Sequence, residues 1–514
     1  MEGLLQSNAT SVAFKEYAPA PDEDSSHVKL HAILQCNTEA LLRARGQSAM
    51  RESSQRGVQS LQCTGVSWNS TGSTLAASYG RLNVAGWCNE PGALACWNAF
   101  KRSSSADEAA TLTPDVVFDH SSYLMCLCCH PTHPAIVAAG SFNGEVLVWN
   151  TAADDPLLGV SQIDDYFHRE PVTQVAWVYD MDEQGEGYRL VSTSGDGKIL
   201  CWSLRNRLAY PVEGYALLTA PAGNRRVLIS KLVERPLLTI PMSSSALSFF
   251  SEGKLVSSLV VGSEAGALVK CTLPVTSSAN LKESTAAAGG MLQWDADAAR
   301  LLQKAPRSRQ HQFCQRVERH AQSHGQSHVT LEMVFDARPD ADALYPVPRL
   351  FAYNAHLGPV TGLQCSPFHR AAFLSCGADG TARVHSALHT RAVLTLEPVL
   401  DGALTAAAWS NARPLVLAVA CSRGQVSVFD LGASTMAPVA QLQVPQEGGP
   451  LSTAACALAF NPKQRAFIAA GCNDGTVLLW QLGWGLSNMR QGEMEALEQL
   501  CYNTDVLALQ KNLQ

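Results

Sequence analysis

The chain has 514 residues, of which 46% are apolar and 16% charged, and its formal net charge is −7. The apolar fraction is enough for a folded core and excludes a chain that is disordered throughout. The acidic balance and the lack of lysine runs argue against a nucleic-acid partner and against binding to an anionic membrane.

The first residues show no basic segment followed by an apolar one, and the longest apolar stretches are only as long as a strand. We therefore expect no secretion signal and no membrane insertion. The sixteen cysteines are scattered and often fall within predicted strands, which is typical of reduced thiols used as small core residues. These features predict a cytosolic compartment and no glycosylation at Asn8 or Asn69.

Residues 1–60 are predicted to be an N-terminal extension that contains one helix, from about residue 28 to residue 45. Ser25 and Ser26 are suitable caps for its start. The helical face would carry five apolar residues: Leu30, Ile33, Leu34, Leu41 and Leu42. Such a helix either packs on the body of the protein or docks a partner.

Residues 61–484 repeat one unit: a first apolar strand, a strand of small residues, a glycine turn and a strand that ends in a large side chain. The clearest copy runs from Leu190 to Trp202 and turns at Asp196-Gly197. Further turn glycines are Gly144, Gly266, Gly380, Gly424 and Gly475. The first copy is looser and ends at Trp97. Seven units result, with the spacing of a roughly 40–45-residue repeat interrupted by insertions.

Each part of the unit has a physical reason. Asp-Gly and Asn-Gly adopt the positive φ angles of a two-residue hairpin at low cost. Small residues suit strands that crowd a central channel, and the aromatic residue fills the wider space further out. A four-stranded sheet cannot bury both faces alone, whereas a closed ring of such sheets can. We therefore predict an all-β fold, a seven-bladed β-propeller with a helix in its N-terminal extension and a short helical tail.

The repeat resembles that of the WD-repeat family. The family's turn aspartate is matched by Asp196, Asp379 and Asp474, and its terminal tryptophan by Trp97, Trp149, Trp202 and Trp480. Other residues stand at the tryptophan position in three units (Cys271, His385, Phe429) and at the aspartate position in three (Asn143, Ala265, Arg423). We expect those blades to lose a polar anchor and to keep the hairpin.

Two groups of residues have metal-ligating side chains. Cys126, Cys128, Cys129 and His130 contain a C-x-x-C pattern, but along a strand Cys129 faces away from the other two thiols, and no second pair exists. Buried core thiols explain this pattern better than a zinc site does. His320, His324 and His328 recur every four residues, and on a helix they would align. They lie in a Gln- and Ser-rich insertion with no carboxylate nearby, which disfavours a metal site.

That insertion, about residues 275–345, is predicted to be a mobile loop containing some helix. Residues 485–514 form the predicted tail, where Met494, Leu497, Leu500 and Cys501 have helical spacing. No phosphate-binding loop and no nucleophile elbow occurs. Since small residues stand at the inner strand ends, we expect no enzyme activity, no cofactor and no metal.

Two stretches resemble a narrower family. Val66-Ser67-Trp68-Asn69-Ser70-Thr71-Gly72 and Cys365-Ser366-Pro367-Phe368-His369-Arg370 are similar to segments of the WD-repeat intermediate chains of dyneins. Together with Gly144-Glu145-Val146-Leu147-Val148-Trp149, they most resemble those of cytoplasmic dynein-2, the retrograde motor of intraflagellar transport.

The resemblance implies a set of partners. The propeller would bind the dynein-2 heavy-chain tail at an unknown contact. The predicted helix would dock a roadblock-type light chain, with LC8-type and Tctex-type chains as further candidates. A second, different intermediate chain would be held through the light chains, and the complex would travel with intraflagellar transport trains in cytoplasm and cilium. The alternative is a WD-repeat adaptor or substrate receptor, for example of a ubiquitin ligase.

Overall fold

The computed structural model describes residues 28–37, 61–81, 86–101, 110–164, 166–179, 187–219, 227–228, 236–241, 258–272, 285, 287–305, 307–339, 344–397, 402–444 and 453–503. Within them, seven blade sheets follow one another along the chain: six are four-stranded and antiparallel, and the seventh has a fifth strand that pairs in parallel. The first strand of each sheet contacts that of the next, and the first strand of the seventh contacts that of the first. The sheets therefore form the closed seven-bladed ring that the repeats predict.

The first described strand is β1 (Val28–Gln35). Blade one has β2 (Gln62–Trp68), β3 (Thr74–Gly80), β4 (Gly92–Asn98) and β6 (Val116–His120), with the short β5 (Ala110–Leu112) before the last. Blade two has β7 (Leu124–Cys129), β8 (Ile136–Ser141), β9 (Val146–Asn150) and β10 (Leu157–Val160). Blade three has β11 (Val172–Tyr179), β12 (Tyr188–Ser194), β13 (Lys198–Trp202) and β14 (Glu213–Ala216), with a 3₁₀ turn at Leu204–Asn206.

A small pair, β15 (Leu218–Thr219) and β16 (Val227–Leu228), precedes blade four. Blade four has β17 (Pro236–Pro241), β18 (Ser258–Ser263), β19 (Leu268–Thr272) and β22 (Arg349–Tyr353). Its last two strands are separated by β20 (Gln293–Trp294), α1 (Ala296–Lys304), α2 (Arg307–Ser323), β21 (His328–Val329) and α3 (Leu331–Asp336).

Blade five has β23 (Val360–Cys365), β24 (Ala372–Gly377), β25 (Ala382–Ser386) and β26 (Ala392–Leu396). Blade six has β27 (Leu404–Trp409), β28 (Val416–Cys421), β29 (Gln425–Asp430) and β30 (Ala440–Gln443). Blade seven has β31 (Ala455–Phe460), β32 (Phe467–Cys472) and β33 (Thr476–Leu482), and β1 is its fourth strand. The helices α4 (Trp484–Ser487) and α5 (Glu493–Asn503) follow.

The predicted hairpin turns are present. Gly197 has a φ of 81° and Gly424 a φ of 79°, a conformation that an L side chain adopts only with strain. A Cβ at Gly424 would also lie 2.1 Å from the carbonyl oxygen of Thr453. Glycine is therefore needed at both turns for the backbone angle, and at Gly424 also for the close approach of the next blade.

Neighbouring blades are joined by threonine side chains near the start of their first strands. The hydroxyl of Thr64 donates to the carbonyl of Leu124 over 2.7 Å, and that of Thr361 donates to Leu404 over 2.7 Å. In both strands the pairing shifts by one residue at this threonine. The bulge frees the threonine from the ladder, so that its hydroxyl can bond to the next blade.

The helix predicted over residues 28–45 is wrong for Val28–Gln35, which form a strand. β1 pairs antiparallel with β33, so that Leu34 lies opposite Val477. Ala32 and Leu34 are buried, whereas Lys29 and Gln35 are exposed, as expected for a period of two. Blade seven supplies only three consecutive strands, and pairing with its open edge outweighs the helical spacing of the leucines. Residues 38–45 lie outside the described residues.

β1 has a second neighbour in the chain. β5, from the connection between the third and fourth strands of blade one, pairs with it in parallel over Ala32 to Leu34. The strand is thus held between blade seven and a segment of blade one, across the point where the ring closes.

The insertion in blade four is folded over Ala296–Asp336, so the prediction of a mobile loop is wrong there, while the predicted helix is present. Leu301, Phe313 and Val317 are buried in one cluster with Trp202 of blade three and with Phe167, which lies in the connection leading into that blade. The carboxylate of Glu318 accepts hydrogen bonds from the backbone of Met291 and Leu292 and from the indole of Trp294. These contacts fix the helices on the outer side of blade three.

An ion pair joins the insertion to blade three. The ammonium of Lys304, at the end of α1, contacts the carboxylate of Glu213 on β14 and donates to the hydroxyl of Tyr215 over 2.6 Å. Burial acts to raise the pKa of Glu213, but the charges of Lys304 and Arg189 more than offset it, and that pKa is lowered. The lysine is almost fully buried, so the pair holds α1 in one position.

The predicted tail helix is confirmed as α5. Leu497, Leu500 and Cys501 are buried between blades five and six, while Met494 is 39% exposed. Within the part of the chain that the structure describes, no helix is long and apolar enough to span a membrane.

Candidate interaction surfaces

A chain of buried polar groups links the turn of blade three to its core. Nδ1 of His168 lies 3.4 Å from the carboxylate of Asp196, and its Nε2 lies 2.7 Å from the hydroxyl of Ser192. The indole of Trp202 donates to the same hydroxyl over 2.7 Å. The predicted pair Asp196 and Trp202 is therefore brought together through His168 and Ser192, which were not among the predicted blade residues.

Blade five contains the same chain of groups with a histidine in place of the tryptophan. His356 lies 3.1 Å from Asp379 and 2.8 Å from Ser375, whose hydroxyl lies 2.9 Å from Nε2 of His385. The expectation that His385 removes a polar anchor is wrong, because its imidazole reaches the serine as an indole would. His385 also stacks on Phe373, with ring centroids 4.6 Å apart.

Asn143, at the aspartate position of blade two, also keeps an anchor. Its side chain accepts from the backbone NH of Cys88 over 3.0 Å and donates to the carbonyl of the same residue over 2.8 Å. Cys88 lies between β3 and β4 of blade one. The substitution thus exchanges an anchor within the blade for one that joins two blades.

The Asp–His–Ser groups have the residue types of a hydrolase triad, but their surroundings differ. Ser192 and Ser375 are 0% exposed, so no substrate carbonyl can approach either hydroxyl. Each hydroxyl is also bonded to a second ring nitrogen. These groups fix the loop before each blade to the blade's turn, and their role is structural.

The other predicted blade residues follow two patterns. Trp97, Trp149 and Trp480 are buried between blades, as expected. Asp474 is exposed and accepts hydrogen bonds from the backbone and hydroxyl of Thr476, so it stabilises only its own turn.

The cysteines of β7 are core residues. Cys126 and Cys128 pack on the side of blade three, whereas Cys129 packs on the opposite side, as the strand alternation predicts. Burial raises the pKa of the Cys126 thiol to about 12 and that of Cys128 to about 11. Burial also lowers the pKa of His130 to about 4, with His133 adding to the effect.

The histidines of the insertion are only partly aligned. The rings of His320 and His324 are 4.5 Å apart at the end of α2. His328 lies in β21, beyond the end of the helix at Ser323, so the predicted row of three is wrong. Among the described residues, no three metal-ligating side chains are placed to hold an ion.

The predicted docking residues do not share a free surface. Leu34 is 0% exposed, and Leu30 and Ile33 pack against the core of blades six and seven. Leu41 and Leu42 lie outside the described residues. The structure therefore contradicts a docking helix at Leu30, Ile33 and Leu34.

We define the lower face of the ring by the loops that it carries. These loops connect the first strand to the second, and the third strand to the fourth, in each blade. Arg413, in such a connection of blade six, is fully buried and bonds to Asp430 over 2.8 Å and to Glu493 at the start of α5. Burial acts to lower the pKa of Arg413, but the two carboxylates more than offset it, and that pKa is raised. This cluster fixes α5 on the lower face.

Large apolar side chains are exposed on the lower face of three consecutive blades. Leu388 of blade five is 56% exposed, Met436 of blade six 84%, and Trp484 after the third strand of blade seven 66%. Met489, shortly before α5, and Tyr502, in the last turn of α5, are 52% and 49% exposed. Large apolar side chains exposed on one face of a protein are candidates for binding another protein. We call these five residues the lower apolar surface.

The closed ring, the glycine turns and the buried His–Ser–Trp groups define a WD-repeat β-propeller, a class of interaction scaffold. The family described as WD domain, G-beta repeat matches residues 113–150, 348–386 and 448–481. These three segments lie in blades one to two, four to five and seven.

Known relatives narrow the class. The chain is 32% identical over 445 residues to cytoplasmic dynein 2 intermediate chain 2 of Mus musculus. The aligned region covers 86% of this chain and 69% of the mouse protein. The human protein of the same name is 32% identical over 454 residues, which are 88% of this chain and 70% of the human protein. Ciliary dynein intermediate chain 3 of Heliocidaris crassispina is 24% identical over 383 residues, which are 74% of this chain and 48% of that protein. The chain belongs to the family of WD-repeat dynein intermediate chains, and within it to those of cytoplasmic dynein 2.

Proposed function

We propose that this chain is a non-catalytic subunit of the cytoplasmic dynein-2 motor, and that it acts in retrograde intraflagellar transport and cilium assembly. The observation that carries the proposal is the 32% identity over 445 residues, because a match of that length covers 86% of the chain and 69% of the relative. The buried serines of blades three and five agree with a scaffold role. The site of action is the cytoplasm and the cilium.

The heavy-chain tail is the proposed partner of the propeller. The lower apolar surface is the candidate contact, since it combines exposed Trp484 and Met436 with a firmly anchored helix. Tryptophan is frequent among residues that dominate binding energy, and a rigid support lowers the entropy lost on binding.

Light chains are proposed to bind the N-terminal region before β1, with the roadblock type first and the LC8 and Tctex types as further candidates. β1 itself is taken up by blade seven, which supports a site outside it. A second, different intermediate chain would share those light chains. Two propellers tied in this way would hold their heavy chains by avidity, because each bound arm raises the effective concentration of the other.

A pull-down from ciliated cells tests the proposal. The tagged chain is expected to bring down a dynein-2 heavy chain and light chains, identified by mass spectrometry. The variant Trp484→Asp with Met436→Asp should recover at least tenfold less heavy chain and unchanged light chains, because it places charges on the lower apolar surface alone.

Leu357→Asp is the matched control. Leu357 is 94% exposed in the connection from blade four to blade five, which lies on the opposite face of the ring. The Leu357→Asp variant should recover as much heavy chain as the wild-type chain does. Equal recovery with both variants would show that another surface binds the heavy chain, whereas a wild-type sample without any dynein subunit would favour the adaptor alternative.

A further inference from the structure

Arg413 bonds to three of the segments that carry the lower apolar surface. Its side chain is fully buried, in the connection between β27 and β28 of blade six. The guanidinium donates to the carboxylate of Asp430 at the end of β29, to the carboxylate of Glu493 at the start of α5, and to the carbonyl of Gly485 in α4. Its five N–H groups in one plane allow a single side chain to bond to all three segments at once.

The bond to Gly485 positions Trp484. α4 has only four residues, so its carbonyl groups have no acceptor role within the helix and need partners elsewhere. Nη1 of Arg413 donates to the carbonyl oxygen of Gly485 over 2.5 Å. Trp484 directly precedes Gly485 in the chain and is 66% exposed. The bond therefore fixes the backbone from which the exposed indole projects.

The bond to Asp430 reaches Met436 through the connection between β29 and β30. Oδ2 of Asp430 accepts from Arg413 over 2.8 Å, and Oδ1 accepts from the backbone NH of Gly432 over 3.1 Å. The backbone carbonyl of Asp430 accepts from the NH of Ser434 over 2.9 Å, and the hydroxyl of Ser434 accepts from the NH of Met436 over 3.2 Å. Consecutive hydrogen bonds thus link the backbone of Met436, a residue that is 84% exposed, to the guanidinium.

The bond to Glu493 fixes the tail. Glu493 is 1% exposed, and its carboxylate accepts from Nε of Arg413 over 3.0 Å and from the backbone NH of Arg490 over 3.3 Å. The second of these bonds holds the turn between α4 and α5, in which Met489 directly precedes Arg490. The first holds the start of α5, which carries Tyr502 in its last turn.

A buried charge cluster of this kind sets the positions of its neighbours more than it adds stability. Taking a guanidinium and two carboxylates out of water costs free energy that their attraction only partly restores, and well-packed apolar side chains often stabilise the same space equally well. The cluster does require one arrangement of the groups around it. Apolar side chains that are held in place before binding lose less conformational entropy when a partner arrives.

We infer that Arg413 is the positioning residue of the lower apolar surface: its guanidinium holds Met436, Trp484 and α5 in the arrangement that a partner protein binds. The tail is then part of the binding surface and not only a cover for blades five and six. The partner is the heavy-chain tail of the proposed function, on which this inference rests, whereas the positioning itself follows from the hydrogen bonds.

Hydrogen exchange of the full chain, followed by mass spectrometry, tests the positioning without any partner. Arg413→Lys keeps the charge, but one ammonium cannot bond to three segments at once. We expect the backbone amides of 431–439 and of 484–490 to exchange at least about fivefold faster than in the wild-type chain. The matched control is Lys304→Met, which breaks the buried ion pair between α1 and blade three. It should leave exchange in both segments unchanged.

Heavy-chain recovery from ciliated cells tests the role in binding. Arg413→Lys should recover at least about fivefold less heavy chain than the wild-type chain, although all five apolar side chains are intact, whereas Lys304→Met should recover the wild-type amount. Arg413→Met with Asp430→Asn and Glu493→Gln removes the three charges together. That variant should keep the melting temperature within a few degrees and still lose the heavy chain, which separates a lost surface from a lost fold.

Two results would overturn the inference. One is exchange at the wild-type rate in either segment of Arg413→Lys. The other is full heavy-chain recovery by Arg413→Lys when Trp484→Asp with Met436→Asp loses the heavy chain. A wild-type sample without heavy chain would instead refute the proposed function, and the exchange rates would still decide whether Arg413 positions the surface.

Discussion

At the scale of single residues, the same buried network tolerates different side chains. Ser375 is contacted by His385 in blade five, whereas the equivalent Ser192 of blade three is contacted by Trp202. Both side chains place a ring nitrogen beside the serine hydroxyl. What the fold requires at this position is that nitrogen and a flat ring for packing, and not the indole itself.

The histidine differs from tryptophan in one respect, its ability to bind a proton. Burial lowers the pKa of His385 from its usual 6.5 to about 3, and the nearby His356 and Arg383 contribute to the shift. Below pH 6.5 the unfolded chain therefore binds a proton at this residue, whereas the folded chain does so only near pH 3. The free energy of unfolding must fall as the pH decreases through this window.

His385→Trp should remove that dependence. We expect the slope of unfolding free energy against pH to decrease by about 1.4 kcal/mol per pH unit between pH 6 and pH 4, the value for one proton. Urea unfolding at several pH values, followed by circular dichroism, measures it. An unchanged slope would mean that His385 binds its proton equally well in the folded chain.

At the scale of elements, β1 shows how tertiary pairing overrides local pattern. Its residues carry leucines at helical spacing, yet they form the fourth strand of blade seven, with Ala32 and Leu34 buried and Lys29 and Gln35 exposed. In the insertion, a Ser- and Gln-rich sequence that predicts a loop instead forms helices, which are held by Lys304 and Glu318. In both cases the partner surface decides the structure.

Two substitutions on β1 separate a core strand from a docking surface. Leu34→Asp places an unpaired charge in the core and should destabilise the propeller by more than about 4 kcal/mol. Lys29→Asp, on the exposed side of the same strand, should change stability by less than about 0.5 kcal/mol. Thermal melting measures both, and similar melting temperatures would argue that β1 is not part of the folded ring.

At the scale of the whole molecule, the two ends of the described chain meet in one ring. β1 completes blade seven and is covered by β5 of blade one, while α5 is fixed to blade six by Arg413. The N-terminal region before β1 therefore leaves the propeller at the point of closure. A partner bound there would be connected through the chain to the strand that completes blade seven.

Truncations test this arrangement. Removing residues 1–27 should leave the melting temperature within a few degrees of the full chain and abolish light-chain recovery, while heavy-chain recovery persists. Removing residues 1–37 also deletes β1 and should unfold the ring or make it aggregate through the exposed edge of β33. Equal behaviour of the two truncations would mean that ring closure does not require β1.

The repeat, the seven blades and the turn glycines could be predicted from the sequence, because they depend on local geometry that is the same in every copy. The alternation of Cys126 and Cys129 and the buried side of α5 could also be predicted, since both follow from the period of one element. The contacts in the folded chain show that Val28–Gln35 is a strand and that His385 keeps its anchor, and the sequence predicts neither. Each of these depends on contacts between segments distant in the chain, and the period of a single segment carries no information about such partners.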